Sequence, residues 1–181
     1  LLELYKNRYH ISTISSKISL PVIEAYKKKG LEFTTGVSIN NLSLNENDVG
    51  DFRTFFKLSP PLRTEIDRLA LIDAVNKGLI DVIVSDHKPE DEESKRLPFQ
   101  QAATGASGIE TLLSLTLELY HNKSCELKTL IKTLTCNPAK ILNINAGNLS
   151  VDSDADIELL ILISRGLLKE KKLSQSLKIQ Q

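Results

Sequence analysis

Leu79-Ile80-Asp81-Val82-Ile83-Val84-Ser85, running straight into Asp86-His87, is the stretch on which the fold turns. Ile80, Val82, Ile83 and Val84 form a short, nearly continuous apolar run, which fits a strand covered on both faces, as in parallel sheets. Upstream, Thr64 and Asp67 have capping-box spacing and open a helix over about Glu65–Asn76. Ile66, Leu69, Ala70 and Ala74 lie at helical spacing within it, and Gly78 ends it. Further upstream, Leu31–Ser38 reads as a second strand and Leu4–Ile11 as another, ending near His10. A helix joins these two. Ser15 or Ser16 can cap it, Pro21 is tolerated near its first turn, and Lys27, Lys28 and Lys29 precede the stop at Gly30. Asn40 to Asp51 reads as a polar loop, and Pro60–Pro61 breaks the chain. Downstream, Lys88–Arg96 reads as a solvated charged loop, and Ser107 with Glu110 opens a helix to about His121. Helices over Leu127–Leu134 and Asn137–Leu142 follow, the second with Pro138 at its first position. Strands alternating with helices imply an α/β fold with parallel strands, and about three such units are present.

The composition agrees with one globular domain. Among 181 residues, 41% are hydrophobic and 25% charged, and Lys+Arg equals Asp+Glu at 23 each. Zero formal net charge argues against a nucleic-acid binder, which carries a basic excess. No apolar run approaches the roughly 18–20 residues that span a bilayer, and no signal peptide is read at the start. Cys125 and Cys136 are too few for a disulfide framework and match no zinc pattern, so a reduced, cytoplasmic setting is expected. The chain contains no methionine and begins at Leu1, so it is expected to be clipped or to start at a non-standard site. Residues 1–146 read as the α/β unit, and 147–181 as a small strand region followed by a Lys-rich tail.

Polar residues able to hold a metal fall where two apolar strands end, His10 after the first and Asp86–His87 after the third. Parallel α/β folds gather their active sites at the carboxyl ends of strands. Histidine and aspartate both coordinate zinc, and a carboxylate also moves protons. Taken singly, His10 reads more readily as a structural histidine than as a ligand, and Asp86 equally as a turn or helix cap. Arg63 can hold an anion or pair with Glu65 or Asp67. Neither cysteine carries chemistry in this reading, and His121 reads as a surface residue.

Several ordered pieces together resemble the dihydroorotases, a branch of the amidohydrolase superfamily. They are Tyr9-His10-Ile11-Ser12-Thr13, Phe56-Lys57-Leu58-Ser59-Pro60-Pro61-Leu62-Arg63 and Ile80-Asp81-Val82-Ile83-Val84-Ser85-Asp86-His87. They continue with Pro98-Phe99, Gly108-Ile109-Glu110-Thr111, Asn137-Pro138-Ala139 and Ala155-Asp156. The resemblance runs from about residue 5 to about residue 160. It implies the C-terminal portion of a (β/α)8 barrel with a zinc centre at its C-terminal face, followed by a short β and tail segment. It also implies reversible cyclisation of N-carbamoyl-L-aspartate to L-dihydroorotate. In that family a metal-held hydroxide attacks the ring amide, and an aspartate carries the proton to the leaving nitrogen. By resemblance His10 is a metal ligand, and Asp86 is both a ligand and the general acid/base. Ser59 stands where the family usually has a substrate-binding Asn, and Thr104–Gly105 lie near its backbone contacts to substrate.

The departures carry equal weight. The family's His-x-His pair occurs nowhere in this chain. That half of the site is expected upstream of Leu1. The usual Asp-His-Ala-Pro-His reads Asp86-His87-Lys88-Pro89-Glu90, which puts the anion Glu90 at the place of a substrate-binding His, against a dianionic substrate. The family's Pro-His-His reads Ile39-Asn40-Asn41. Three strands cannot close a barrel, and two ligands fall short of the three that a catalytic zinc keeps. Alone, the chain is therefore expected to bind zinc weakly and not to turn over dihydroorotate. Three readings remain open: the C-terminal half of a dihydroorotase whose other half is missing or separately encoded, a non-catalytic dihydroorotase-like protein supporting aspartate transcarbamoylase assembly, or a decaying remnant with no present role. A frameshifted end or a genuine surface helix would account for the texture of residues 164–181.

Overall fold

A computed structural model of the chain describes Leu4 and residues 7–151, 153–154, 156–160 and 162. Its sheet is built from β1 (Tyr9–Ile11), β2 (Phe33–Ser38) and β3 (Val82–Val84), all parallel, in the order β1-β2-β3. The register pairs His10 with Thr34, and Ser38 with Val84. Between the strands run α1 (Ser19–Lys28), α2 (Ile39–Ser43) and α3 (Glu65–Asn76). After β3 come α4 (Glu92–Lys95), α5 (Leu112–His121), α6 (Leu127–Leu134) and α7 (Cys136–Leu142). The strand–helix alternation expected from the Leu79–Ser85 run is thus the observed α/β arrangement, as an open three-stranded piece of a parallel sheet. Among the described residues no helix is long and apolar enough to cross a membrane.

Side-chain alternation assigns the two faces of the sheet. Phe33, Val37 and Ile83 point into the helix-covered core, where they join Ile23, Ile39, Leu42, Leu71, Ile72, Val75 and Leu130. His10, Thr34, Gly36, Ser38, Val82 and Val84 alternate with them and therefore share the opposite face. At the amino end of β3 the Asp81 carboxylate accepts from the Thr35 N–H at 2.7 Å and from Lys27 Nζ at 2.8 Å. Its backbone carbonyl accepts from Asn137 Nδ2 at 2.7 Å, so one residue ties α1, β2, β3 and α7 together.

Thr64 caps α3 as expected, accepting from the Asp67 N–H. Along α3, Ile66 and Leu69 are 62% and 52% exposed, while Leu71, Ile72, Ala74 and Val75 are buried. Asp67 is the reason. Its carboxylate binds Ser16 Oγ at 3.2 Å and the Lys17 N–H at 2.8 Å, which turns that face inward. Ser16 Oγ also accepts from the Ile18 N–H at 3.3 Å, just before α1, while Ile18, the residue preceding the helix, makes no side-chain cap. Asn40–Asp51 is no loop throughout. Ser38 caps α2, accepting from the Asn40 N–H, and Glu46–Val49 is a 3-10 turn closed by a capping box from Asn45 and Asp48. Lys88–Arg96 is likewise not wholly solvated, because Asp91 caps α4 and Lys95 is only 3% exposed. Ser107 is buried and does not open α5, which starts after Thr111. α7 begins at Cys136, so Pro138 occupies its third position, still in the first turn where no helical N–H is lost. From residue 147 onward the described residues form no strand; Ala155 and residues 163–181, with the Lys-rich tail, lie outside the described residues.

Candidate active site

The carboxyl ends of the three strands bring Ser12, Ser38 and Asp86 to one rim of the sheet. Asp86 follows β3 with φ 49°, in the left-handed region where Asp is tolerated better than bulkier residues. That turn aims the chain toward α5. Gly108 makes the return possible, since a Cβ there would overlap the Ser85 carbonyl oxygen. Half-buried Asp86 has its pKa raised by burial, against the opposing pull of the Lys88 charge and a hydrogen bond from the Ser38 hydroxyl. A carboxyl so placed holds its proton more readily than a solvated one, the property a proton-transfer group needs.

His10 shares this face of the sheet but sits lower, at the level of Thr34. Its Nδ1 lies 2.7 Å from Thr34 Oγ1, which orients the ring and leaves Nε2 available. His87 is exposed, and its Nδ1 accepts from the N–H groups of Gly108 at 3.1 Å and Ile109 at 3.4 Å. Those bonds put the neutral ring's proton on Nε2 and fasten the Asp86 turn to the start of the α5 segment.

The remaining expected residues are distributed around the rim. Ser59 is exposed and precedes a cis peptide bond to Pro60. Glu90 is half-buried, with Lys88 Nζ 3.9 Å from its carboxylate, so the anion expected to repel substrate has a cation beside it. Thr104 is half-buried and Gly105 buried. Gly105 has φ 151° and lies against the Lys88 carbonyl, where a Cβ would collide. The Gly105 N–H donates to the Lys57 carbonyl at 3.0 Å, which joins this loop to the segment carrying Ser59. Among the described residues Arg63 forms no ion pair with Glu65 or Asp67; its Nε donates to Ser15 Oγ at 2.8 Å. Glu65 instead pairs with Arg68.

In donor type, an imidazole nitrogen and a carboxylate suit zinc, but they are one fewer than the three protein ligands of a catalytic zinc. Among the described residues no group of three or more His, Cys, Asp or Glu comes together to hold a metal. The described residues therefore do not by themselves complete such a site. Sequence reading missed Thr34 and Ser38, which orient His10 and Asp86. Only the parallel register, which no local pattern contains, brings them there.

An amidohydrolase family model matches residues 13–175. A dihydroorotase from Ehrlichia chaffeensis is 42% identical over 163 residues, covering 90% of this chain and 36% of that protein. The chain belongs to the amidohydrolase family, and within it is dihydroorotase-like. Among solved structures, the L-hydantoinase (dihydropyrimidinase) from Arthrobacter aurescens superposes with TM-score 0.79 at 26% identity, over 84% of this chain and 35% of that one. The inactive dihydroorotase-like domain of the Chaetomium thermophilum CAD-like multifunctional protein gives 0.57 at 25% identity, over 78% of this chain and 39% of that one. This amidohydrolase chain thus spans about a third of the length of the relatives it matches (36% of the Ehrlichia protein).

Proposed function

We propose that the chain supplies one part of a dihydroorotase active site in cytoplasmic pyrimidine synthesis, and that it is inactive without the rest. The observation that supports this reading is Asp86. It is a half-buried carboxyl with a raised pKa, held at a strand's carboxyl end by Ser38 and by a left-handed turn, in a chain of dihydroorotase likeness. In this reading Asp86 carries the proton to the nitrogen released when the dihydroorotate ring opens, and takes it back on cyclisation. Ser59 and the Thr104–Gly105 backbone contact the substrate, and Lys88 offsets the charge of Glu90 beside it. His10 and Asp86 are two of the ligands that would hold zinc, and further ligands come from a complementing segment with the His-x-His pair. Zinc, once held, supplies the Lewis acid and the nucleophilic hydroxide of the family's chemistry.

The test co-expresses the chain with a segment carrying that pair and follows dihydroorotate hydrolysis. Turnover is expected in the assembly, and Asp86→Asn is expected to lower it by about 10²- to 10⁴-fold, the usual contribution of a proton-transfer group. Full activity in Asp86→Asn would overturn the assignment. A second reading, a non-catalytic partner in an aspartate transcarbamoylase assembly, draws on Glu90 and on the likeness to the inactive Chaetomium domain. Co-purification with a transcarbamoylase, together with an assembly that never turns over, would select it.

A further inference from the structure

Two lysines are committed to backbone carbonyls rather than to carboxylates, and both grip the same loop. Lys57 Nζ donates to the carbonyls of Gln100 at 2.9 Å and Ala102 at 2.7 Å, over the ring of Phe99 at 5.7 Å. Lys95 Nζ donates to the carbonyls of Ala103 at 2.9 Å and Thr54 at 3.2 Å. In return the Thr54 hydroxyl donates to the Lys95 carbonyl at 2.5 Å, and the Ala103 N–H donates to Ser94 O at 3.2 Å. Lys95 is only 3% exposed, and no carboxylate lies within ion-pair distance of either ammonium among the described residues. Burying a cation costs free energy that hydrogen bonds must offset, so the Lys95 placement depends on the carbonyls of Thr54 and Ala103 being held around it.

The result is a loop anchored on both sides of one residue. Gln100, Ala102 and Ala103 are pinned by ammonium groups, and Gly105 by the Lys57 carbonyl. Between the anchors, Thr104 makes no hydrogen bond among the described residues through its backbone or its hydroxyl. Its polar groups are therefore held in place yet left available to a ligand. Lys57 also lies two residues before Ser59, so one side chain and its carbonyl couple both candidate substrate contacts.

We propose that Lys57 and Lys95 are positioning residues that pre-form the Thr104–Gly105 loop for substrate. The proposal rests on the substrate role given to that loop above, and its test separates the two. In the full chain, hydrogen exchange at the hydrogen-bonded Ala103 and Gly105 amides, on either side of Thr104, is compared among the parent, Lys57→Ala, Lys57→Arg and Lys95→Met. Exchange about tenfold faster in Lys57→Ala, with α3 and α5 unchanged and the Arg variant near the parent, is expected. Unchanged loop exchange in Lys57→Ala would overturn the brace, whether or not Lys95→Met folds. In the assembled enzyme, Lys57→Ala is expected to raise KM for dihydroorotate about tenfold, with kcat within about twofold. A fall in kcat at constant KM would overturn the positioning role. An assembly without turnover would remove the dihydroorotase reading and the substrate role with it, while the exchange data still decide the brace.

Discussion

Asp81→Ala is the perturbation whose cost follows most directly from the structure. Asp81 Oδ2 accepts from the Thr35 N–H at 2.7 Å, from Thr35 Oγ1 at 3.1 Å and from Lys27 Nζ at 2.8 Å. Thr35 is 0% exposed, so water cannot replace the lost acceptor at its N–H. Its hydroxyl keeps a second partner, the Leu79 carbonyl at 2.8 Å. Alanine therefore orphans one buried donor, at about 1–3 kcal/mol. It also removes an ion pair whose side chains are 23% and 24% exposed, worth at most about 1 kcal/mol. Together the loss is about 1–4 kcal/mol. Asparagine removes the charge but keeps an oxygen for the Thr35 N–H, so Asp81→Asn is expected to cost about 1 kcal/mol. Urea unfolding of the full chain, followed by far-ultraviolet circular dichroism, reads both as midpoint shifts at constant slope. Equal losses in the two variants would refute the argument that the neutral hydrogen bond, rather than the charge, carries the larger share.

Other expectations concern pH, thiol reactivity and the Asp86 turn. Glu65 has its pKa lowered from 4.5 to about 2, chiefly by the hydrogen bond from Arg68 and then by that from Asn45. Its folded pKa is depressed, so the stability it contributes is present above pH 4.5 and is lost as pH falls toward 2. The Glu65 side chain is 43% exposed, so the effect is small. The difference in unfolding midpoint between parent and Glu65→Gln should shrink across that window, and a constant difference would contradict the pairing. Burial pushes the Cys125 thiol up to about 11. Alkylation of the native chain near neutral pH should therefore modify Cys136 first and reach Cys125 only on unfolding, as peptide mass mapping would show; equal labelling would contradict the buried placement. Gly108→Ala forces a Cβ onto the Ser85 carbonyl and should destabilise the chain by about 1–3 kcal/mol, the usual cost of overpacking, which an unshifted melting curve would disprove.

The parts of the fold that could be read from sequence are those decided by neighbours along the chain. The Ile80–Val84 run gave a parallel strand because only β-rich apolar sequence fits between two covered faces. Thr64 and Gly78 bracket α3 because cap and stop chemistry is local. The misreadings share a different cause. Lys95 looks like any charged residue in a polar loop until the carbonyls of Thr54 and Ala103, far off in sequence, close around its ammonium. The tie from the Ser16 hydroxyl to Asp67, about fifty residues away, is equally invisible to local pattern. The inward face of α3 is likewise set by a distant contact, since Asp67 binds Ser16 and Lys17 and leaves Ile66 and Leu69 outside. Within the candidate site, His10 and Asp86 were legible as residue types at strand ends. Their supports, Thr34 and Ser38, needed the register that sets β2 between β1 and β3.

The central claim is that this chain holds one share of a dihydroorotase site, organised around Asp86, and too few ligands to work alone. Dihydroorotate hydrolysis by the purified 181-residue chain in the presence of zinc tests it most directly. No turnover above the buffer rate is expected at any zinc concentration, since two protein donors fall short of a catalytic zinc's three. Robust turnover by the chain alone would contradict the account.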